Sequence, residues 1–147
     1  MEVERAGNKV FAVEWLKLAK EDLRAAESLL KDNNFNNSVY HSQQACEKAV
    51  KALLEINKII VRSHYVSQRL LSLGRSDDIL KIAEAAEWFE KDRKWEITRY
   101  PIEKGKEIFL PFKVFSEKDA KEAFEKAKFV VEKIEKILKE KYGVEVK

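Results

Sequence analysis

Three stretches of this chain carry apolar residues at alternating steps of three and four, and few residues interrupt them. The 147 residues include only four glycines and two prolines, so the chain is expected to be mostly helix. The first stretch runs from about Val10 to Lys31, with Ala12, Leu16, Ala19, Leu23, Ala26 and Leu30 in one seam. Asp32, Asn33 and Asn34 stop it, because short polar side chains compete for backbone hydrogen bonds. So short a break makes the next helix an antiparallel neighbour. The last stretch opens at Ser116, which stands at capping-box spacing from Asp119, with Asp in place of the preferred Glu or Gln. Its seam is Ala120, Phe124, Ala127, Val131, Ile134 and Leu138, and Gly143 ends it ahead of a tail expected to fray.

The middle stretch, from about Asn36 to Ile56, has two unlike faces. Val39, Ser42, Cys46, Ala49, Leu53 and Ile56 stack into one small and aliphatic stripe. Ala45 and Ala52 lie near the same seam, so neighbouring helices approach closely, with bulk supplied by Trp15, Leu23, Phe124 and Val131. Asn37, His41, Gln44, Lys48, Lys51 and Glu55 recur with the same rhythm on another side. A helix needs an apolar stripe to pack. It does not need an ordered ladder of His, Gln and Lys, so this stripe is the candidate site. An Asn is expected to cap the helix start by accepting free backbone N–H groups.

Between these helices, Asn57 to Ser63 reads as a connector and Tyr65 to Leu73 as a short helix closed by Gly74. A further helix is expected from Asp77 to Lys94, with Ile79, Ile82, Ala83, Ala86 and Phe89 or Glu90 on its apolar face. Trp95 to Phe115 is the least regular segment. It holds both prolines and many aromatics, and reads as a long functional or interface loop. The sum is an all-α, up-and-down bundle of about four to five helices in a single domain. That domain spans residues 1–147, with a core over about 10–142 and an irregular, aromatic-rich segment before the last helix.

Charged residues make up 37% of the chain, above the usual quarter and mostly Lys and Glu, a thermophile-like composition. The net charge of +3 comes from interleaved charges, which does not imply general nucleic-acid binding but allows a local basic patch. The lone Cys46 sits on the apolar stripe and reads as a small buried hydrophobe, which fits a reducing cytosol and a cytoplasmic protein. No apolar run approaches the roughly 20 residues of a membrane span. The charged N-terminus lacks the apolar core of a signal peptide.

The segment WLKLAKEDLRAAESLL from Trp15, followed by YHSQQACEKAVKALL from Tyr40, resembles the HEPN family of prokaryotic helical proteins. The likeness extends to Ser63-His64, where the family often has Thr-His or Ser-His, to Arg99-Tyr100-Pro101, and to the Ser-led last helix. It covers roughly Val10 to Tyr142. The resemblance implies a bundle of this kind, commonly a homodimer. Many such proteins are encoded beside a small nucleotidyltransferase and form a complex with it, in a toxin–antitoxin-like pair. Others are metal-independent ribonucleases, and a third branch is proposed to bind nucleotides. Ribonuclease members carry an Arg a little more than one helical turn before a His. Here His41 and His64 lack that Arg, since Arg62 stands only two residues before His64. The resemblance therefore implies no catalytic residue at these positions.

The residues keep several readings open. His41, Gln44, Lys48 and Lys51 suit a shallow anion or nucleotide site, with Gln bonding a base edge or ribose and Lys meeting phosphate. The same stripe is also readable as a solvated face, where Glu47–Lys51 is an ordinary ion pair worth about 0.3 kcal/mol. A third reading is an internal hydrogen-bond network or dimer seam. His64 is expected to cap the short helix or point toward His41. Arg99 suits a phosphate fork and Tyr100 a base stack; the alternative has Tyr100 packed on the bundle and Arg99 paired with a Glu. Two histidines without a carboxylate cluster point away from a metal site, and no cofactor is expected. A binding module for nucleotide or RNA is the leading expectation; the alternatives are a metal-independent ribonuclease and a protein-binding scaffold.

Overall fold

The computed structural model describes residues 7–147, and the charged stretch before Gly7 lies outside the described residues. Four long helices carry the fold: α1 (Asn8–Lys31), α2 (Phe35–Ile56), α4 (Asp77–Glu90) and α7 (Glu117–Tyr142). Between them stand the short α3 (Ser67–Leu70), α5 (Lys94–Ile97) and α6 (Pro111–Val114), with a small hairpin of β1 (Ile102–Lys104) and β2 (Glu107–Phe109). The architecture is an all-α bundle.

Helix α2 is central and packs against α1, α7, α4 and α5. The reason lies in its small residues. Ala45, Cys46, Ala49 and Ala52 are buried, so neighbouring backbones come close. Ser38 strengthens the α1 contact by donating its Oγ hydrogen to the Ala26 carbonyl at 2.7 Å. The turn from α1 to α2 closes tightly because Asn33 adopts φ +58°, a left-handed conformation that Asn tolerates. Asn34 then stands before α2 without a side-chain cap bond. Asn36 is buried and donates to the Thr98 carbonyl at 3.0 Å, which ties α2 to the end of α5.

Helix α7 begins as its spacing predicts: Ser116 and Asp119 exchange both capping-box bonds. Its end differs from expectation. Gly143 turns the chain at φ +65°, the Val144 N–H reaches the Leu138 carbonyl at 2.9 Å, and Val144 is buried in the core. The tail is therefore anchored at Val144 rather than frayed there.

The middle of the chain differs from expectation in two places. The helix expected through Lys94 stops at Glu90, because Asp92 and Arg93 take positive φ values of 65° and 48°. The Lys94 amine then turns back and donates to the carbonyls of Trp88 and Lys91 at 2.8 and 3.1 Å. Burial outweighs the nearby acids and holds its pKa below the ordinary lysine value. The segment expected as an irregular loop contains α5, the hairpin and α6. Gly105 at φ +63° makes the hairpin turn, and Lys104 pairs with Glu107 across it. Phe89 and Trp95 are buried, whereas Ile108 and Phe112 are 69% and 63% exposed. No helix among the described residues is long and apolar enough to cross a membrane.

Candidate functional site

The polar stripe of α2 is not a solvated face. Two acids that the stripe reading did not single out as site residues organise it: Asp22 on α1 and Glu47 on α2 itself. Asp22 takes His41 Nδ1 at 2.9 Å on one carboxylate oxygen and Lys48 Nζ at 2.6 Å on the other. Glu47 takes three partners: Gln43 Nε2 at 2.9 Å, Lys51 Nζ at 3.0 Å and His64 Nδ1 at 2.7 Å. The Glu47 and Lys51 side chains are only 6% and 10% exposed, so this pair is far from an ordinary surface salt bridge. Gln44 joins through its amide, which donates to Gln43 Oε1 at 2.6 Å.

The two histidines therefore serve different carboxylates and do not form a pair through these bonds. Since a carboxylate only accepts, Nδ1 is the donor in each ring and Nε2 is the other, acceptor nitrogen in the neutral form. The His64 ring also stacks on Trp95, 4.7 Å between centroids and 16° from parallel, while its side chain stays 46% exposed. Tyr65 meets the same Trp95 edge-on. His64 does not cap α3. That role falls to Glu90, whose carboxylate binds the backbone N–H groups of Val66 and Ser67 and the Ser67 hydroxyl. Glu90 thus anchors the connector that carries Arg62 and His64, and α3 starts at Ser67 for that reason.

Arg99 and Tyr100 stand beside this network. The Arg99 guanidinium lies 4.5 Å from the Tyr40 ring centroid and 5.0 Å from that of Tyr100. Its Nε donates to the Trp95 carbonyl at 2.8 Å, and no acid pairs with it among the described residues. Tyr100 is exposed rather than packed on the bundle. Tyr40 also meets His41 edge-on. All seven stripe and loop candidates, His41, Gln44, Lys48, Lys51, His64, Arg99 and Tyr100, consequently belong to one contiguous set of contacts running through Tyr40, Trp95, Gln43 and the two acids. No group of three or more His, Cys, Asp or Glu among the described residues is placed to hold a metal ion.

Burial acts to raise the Asp22 pKa, but hydrogen bonds from His41 and Lys48, with the charge of Lys48, outweigh it and hold the carboxyl below its ordinary value. Cys46 moves the other way: burial, reinforced by Glu90 and Glu47, pushes its thiol far above the usual range. Cys46 is thus an inert core residue.

The sequence of this chain has clear relatives. The HEPN domain model matches residues 12–137. A candidate toxin of Methanocaldococcus jannaschii is 38% identical over 145 residues, covering 93% of this chain and 94% of its own length. Two crystal structures share the fold. A Thermus thermophilus protein superposes with TM-score 0.67 at 23% identity, over 85% of this chain and 96% of its own. An archaeal HEPN homologue gives TM-score 0.65 at 26% identity, over 84% and 93%.

Asp22 generates a pH signature. Its folded-state pKa is depressed, so its contribution to stability is complete above an unfolded value of about 3.9 and is lost as pH falls through the lower folded value. Asp22→Asn should cost about 1–3 kcal/mol at pH 7, and the gap to wild type should shrink below about pH 4. Urea unfolding at several pH values checks this; a gap that is constant from pH 7 to pH 2 contradicts it.

Proposed function

The chain belongs to the HEPN domain family, and from that premise we propose that it is a toxin-type binding module that holds single-stranded RNA or a nucleotide along the half-buried polar stripe of α2 and the Arg99–Tyr100 segment beside it. One observation carries the reading. Cationic and hydrogen-bonding groups alternate with rings along one contact path: Lys48, His41, Tyr40, Arg99 and Tyr100, then Trp95 and His64. Basic groups that track phosphate, interleaved with rings that stack on bases, are what a single strand needs. Arg99 supports it further, since its Nη groups have no hydrogen-bond partner among the described residues.

The toxin-type element rests on the Methanocaldococcus jannaschii relative. A toxin requires an antidote, and a small nucleotidyltransferase in the cytoplasm is the partner that the resemblance implies. A second reading, metal-independent ribonuclease, is favoured by the Glu47–His64 contact, because a buried carboxylate orients an imidazole whose other face stays partly open. The absent upstream Arg counts against it.

Fluorescence anisotropy with a labelled single-stranded RNA tests both readings. Binding at low salt is expected to weaken as salt rises, and Arg99→Ala should lose about tenfold, equivalent to about 1.4 kcal/mol. Absence of binding, or unchanged binding in Arg99→Ala, overturns the binding reading. The RNA should stay intact without metal; cleavage abolished by His64→Ala would establish the ribonuclease instead.

We place the homodimer contact on the hairpin and α6, where Ile108, Phe112 and Val114 are exposed. Light scattering should report a dimer for the wild type and a monomer for Ile108→Glu combined with Phe112→Glu. A monomeric wild type at micromolar concentration contradicts the placement.

A further inference from the structure

Helix α5 is a single turn, too short to hold its own shape, so its place depends on what ties it down. Yet it presents two groups of the proposed binding face. Trp95 stacks on the His64 ring, and Arg99, just past the end of α5, lies against the Tyr40 ring. Thr98 fixes the far end. Its hydroxyl donates to the Lys94 carbonyl at 2.6 Å, and its own carbonyl accepts from Asn36 of α2 at 3.0 Å.

The near end is more unusual. Between α4 and α5 the chain reverses through Asp92 at φ 65°, ψ 12° and Arg93 at φ 48°, ψ 62°. Two consecutive non-glycine residues in the left-handed region are unfavourable, because each Cβ crowds the carbonyl oxygen that follows. Such a turn persists only where its surroundings impose it, and strain of this kind concentrates at functional sites. Both residues are exposed. Arg93 pairs with Glu96 at 3.4 Å, an exposed ion pair too weak to impose the turn. Lys94 supplies the stronger constraint. Its amine donates to the Trp88 and Lys91 carbonyls at 2.8 and 3.1 Å and lies 4.2 Å from the Trp88 ring centroid. These carbonyls stand at the end of α4, where intrahelical N–H partners run out, and a charged donor bonds them strongly. Lys94 is only 9% exposed, so water competes little for these bonds.

We propose that Lys94 is a positioning residue of the RNA- or nucleotide-binding face, on which reading the inference rests: its clasp on the end of α4 holds the left-handed Asp92–Arg93 turn and so sets Trp95 against His64 and Arg99 against Tyr40. Trp95 and Arg99 touch the ligand. Lys94 is buried and acts through them. Opening the turn draws both from their partners at once, so binding follows the shape of the turn rather than the charge at position 92.

Asp92→Gly and Asp92→Val separate shape from charge. Both remove the same carboxylate from an exposed position, but glycine accepts a positive φ and a β-branched residue resists it. Anisotropy with a labelled single-stranded RNA should place Asp92→Gly within about twofold of wild type and Asp92→Val about fivefold or more weaker. In the RNA-free protein, the Trp95 indole N–H and His64 ring C–H resonances should move more in Asp92→Val than in Asp92→Gly. Lys94→Met keeps the stem beside Trp88 but removes the donors, and should resemble Asp92→Val in both measurements. Lys94→Arg retains charged donors and should lie closer to wild type. Equal effects of the two Asp92 variants, or wild-type binding or wild-type Trp95 resonances in Lys94→Met, overturn the proposal. Should Lys94→Met fail to fold, the Asp92 pair still decides. If wild-type protein binds no RNA, the RNA-binding reading falls by itself, and the resonances alone decide whether Lys94 sets Trp95 against His64.

Discussion

Glu47 is the carboxylate on which the polar network of α2 depends. It lies on the central helix, is almost fully buried, and is bonded to an amide, an amine and an imidazole from three directions. A buried charge is costly unless it is paired and hydrogen-bonded. Three donors meet that requirement, and each donor is thereby held in place. Gln43 aligns Gln44, Lys51 is set over Trp15, and His64 is set against Trp95. Removing one partner of such a cluster costs about 3–5 kcal/mol, because it strands the others.

Asp22 has the equivalent role on the neighbouring helix, where it fixes His41 and Lys48 between α1 and α2. The two acids each bond one imidazole through its Nδ1. Each histidine has a carboxylate, but neither has the family's upstream Arg.

The long helices were legible because their periodicity is continuous and their ends carry local signals. The Ser116–Asp119 box is complete within four residues. The stripe on α2 was legible too, but its meaning was not. Whether His41 faces water or an acid depends on Asp22, nineteen residues earlier on another helix, and sequence spacing carries no trace of such a pairing. Glu47 looked like half of an ordinary surface pair, since i to i+4 spacing says nothing about burial. The hairpin was hidden by short, mixed strands whose one local signal was Gly105. The break at Asp92 was hidden because non-glycine residues adopt the left-handed conformation there.

A double-mutant cycle between Glu47→Gln and Lys51→Met, read by urea unfolding, tests most directly whether the buried carboxylate organises this face. A shared cluster requires non-additivity, with an expected coupling energy of about 1 kcal/mol or more. Additive losses, within about 0.3 kcal/mol, would contradict it.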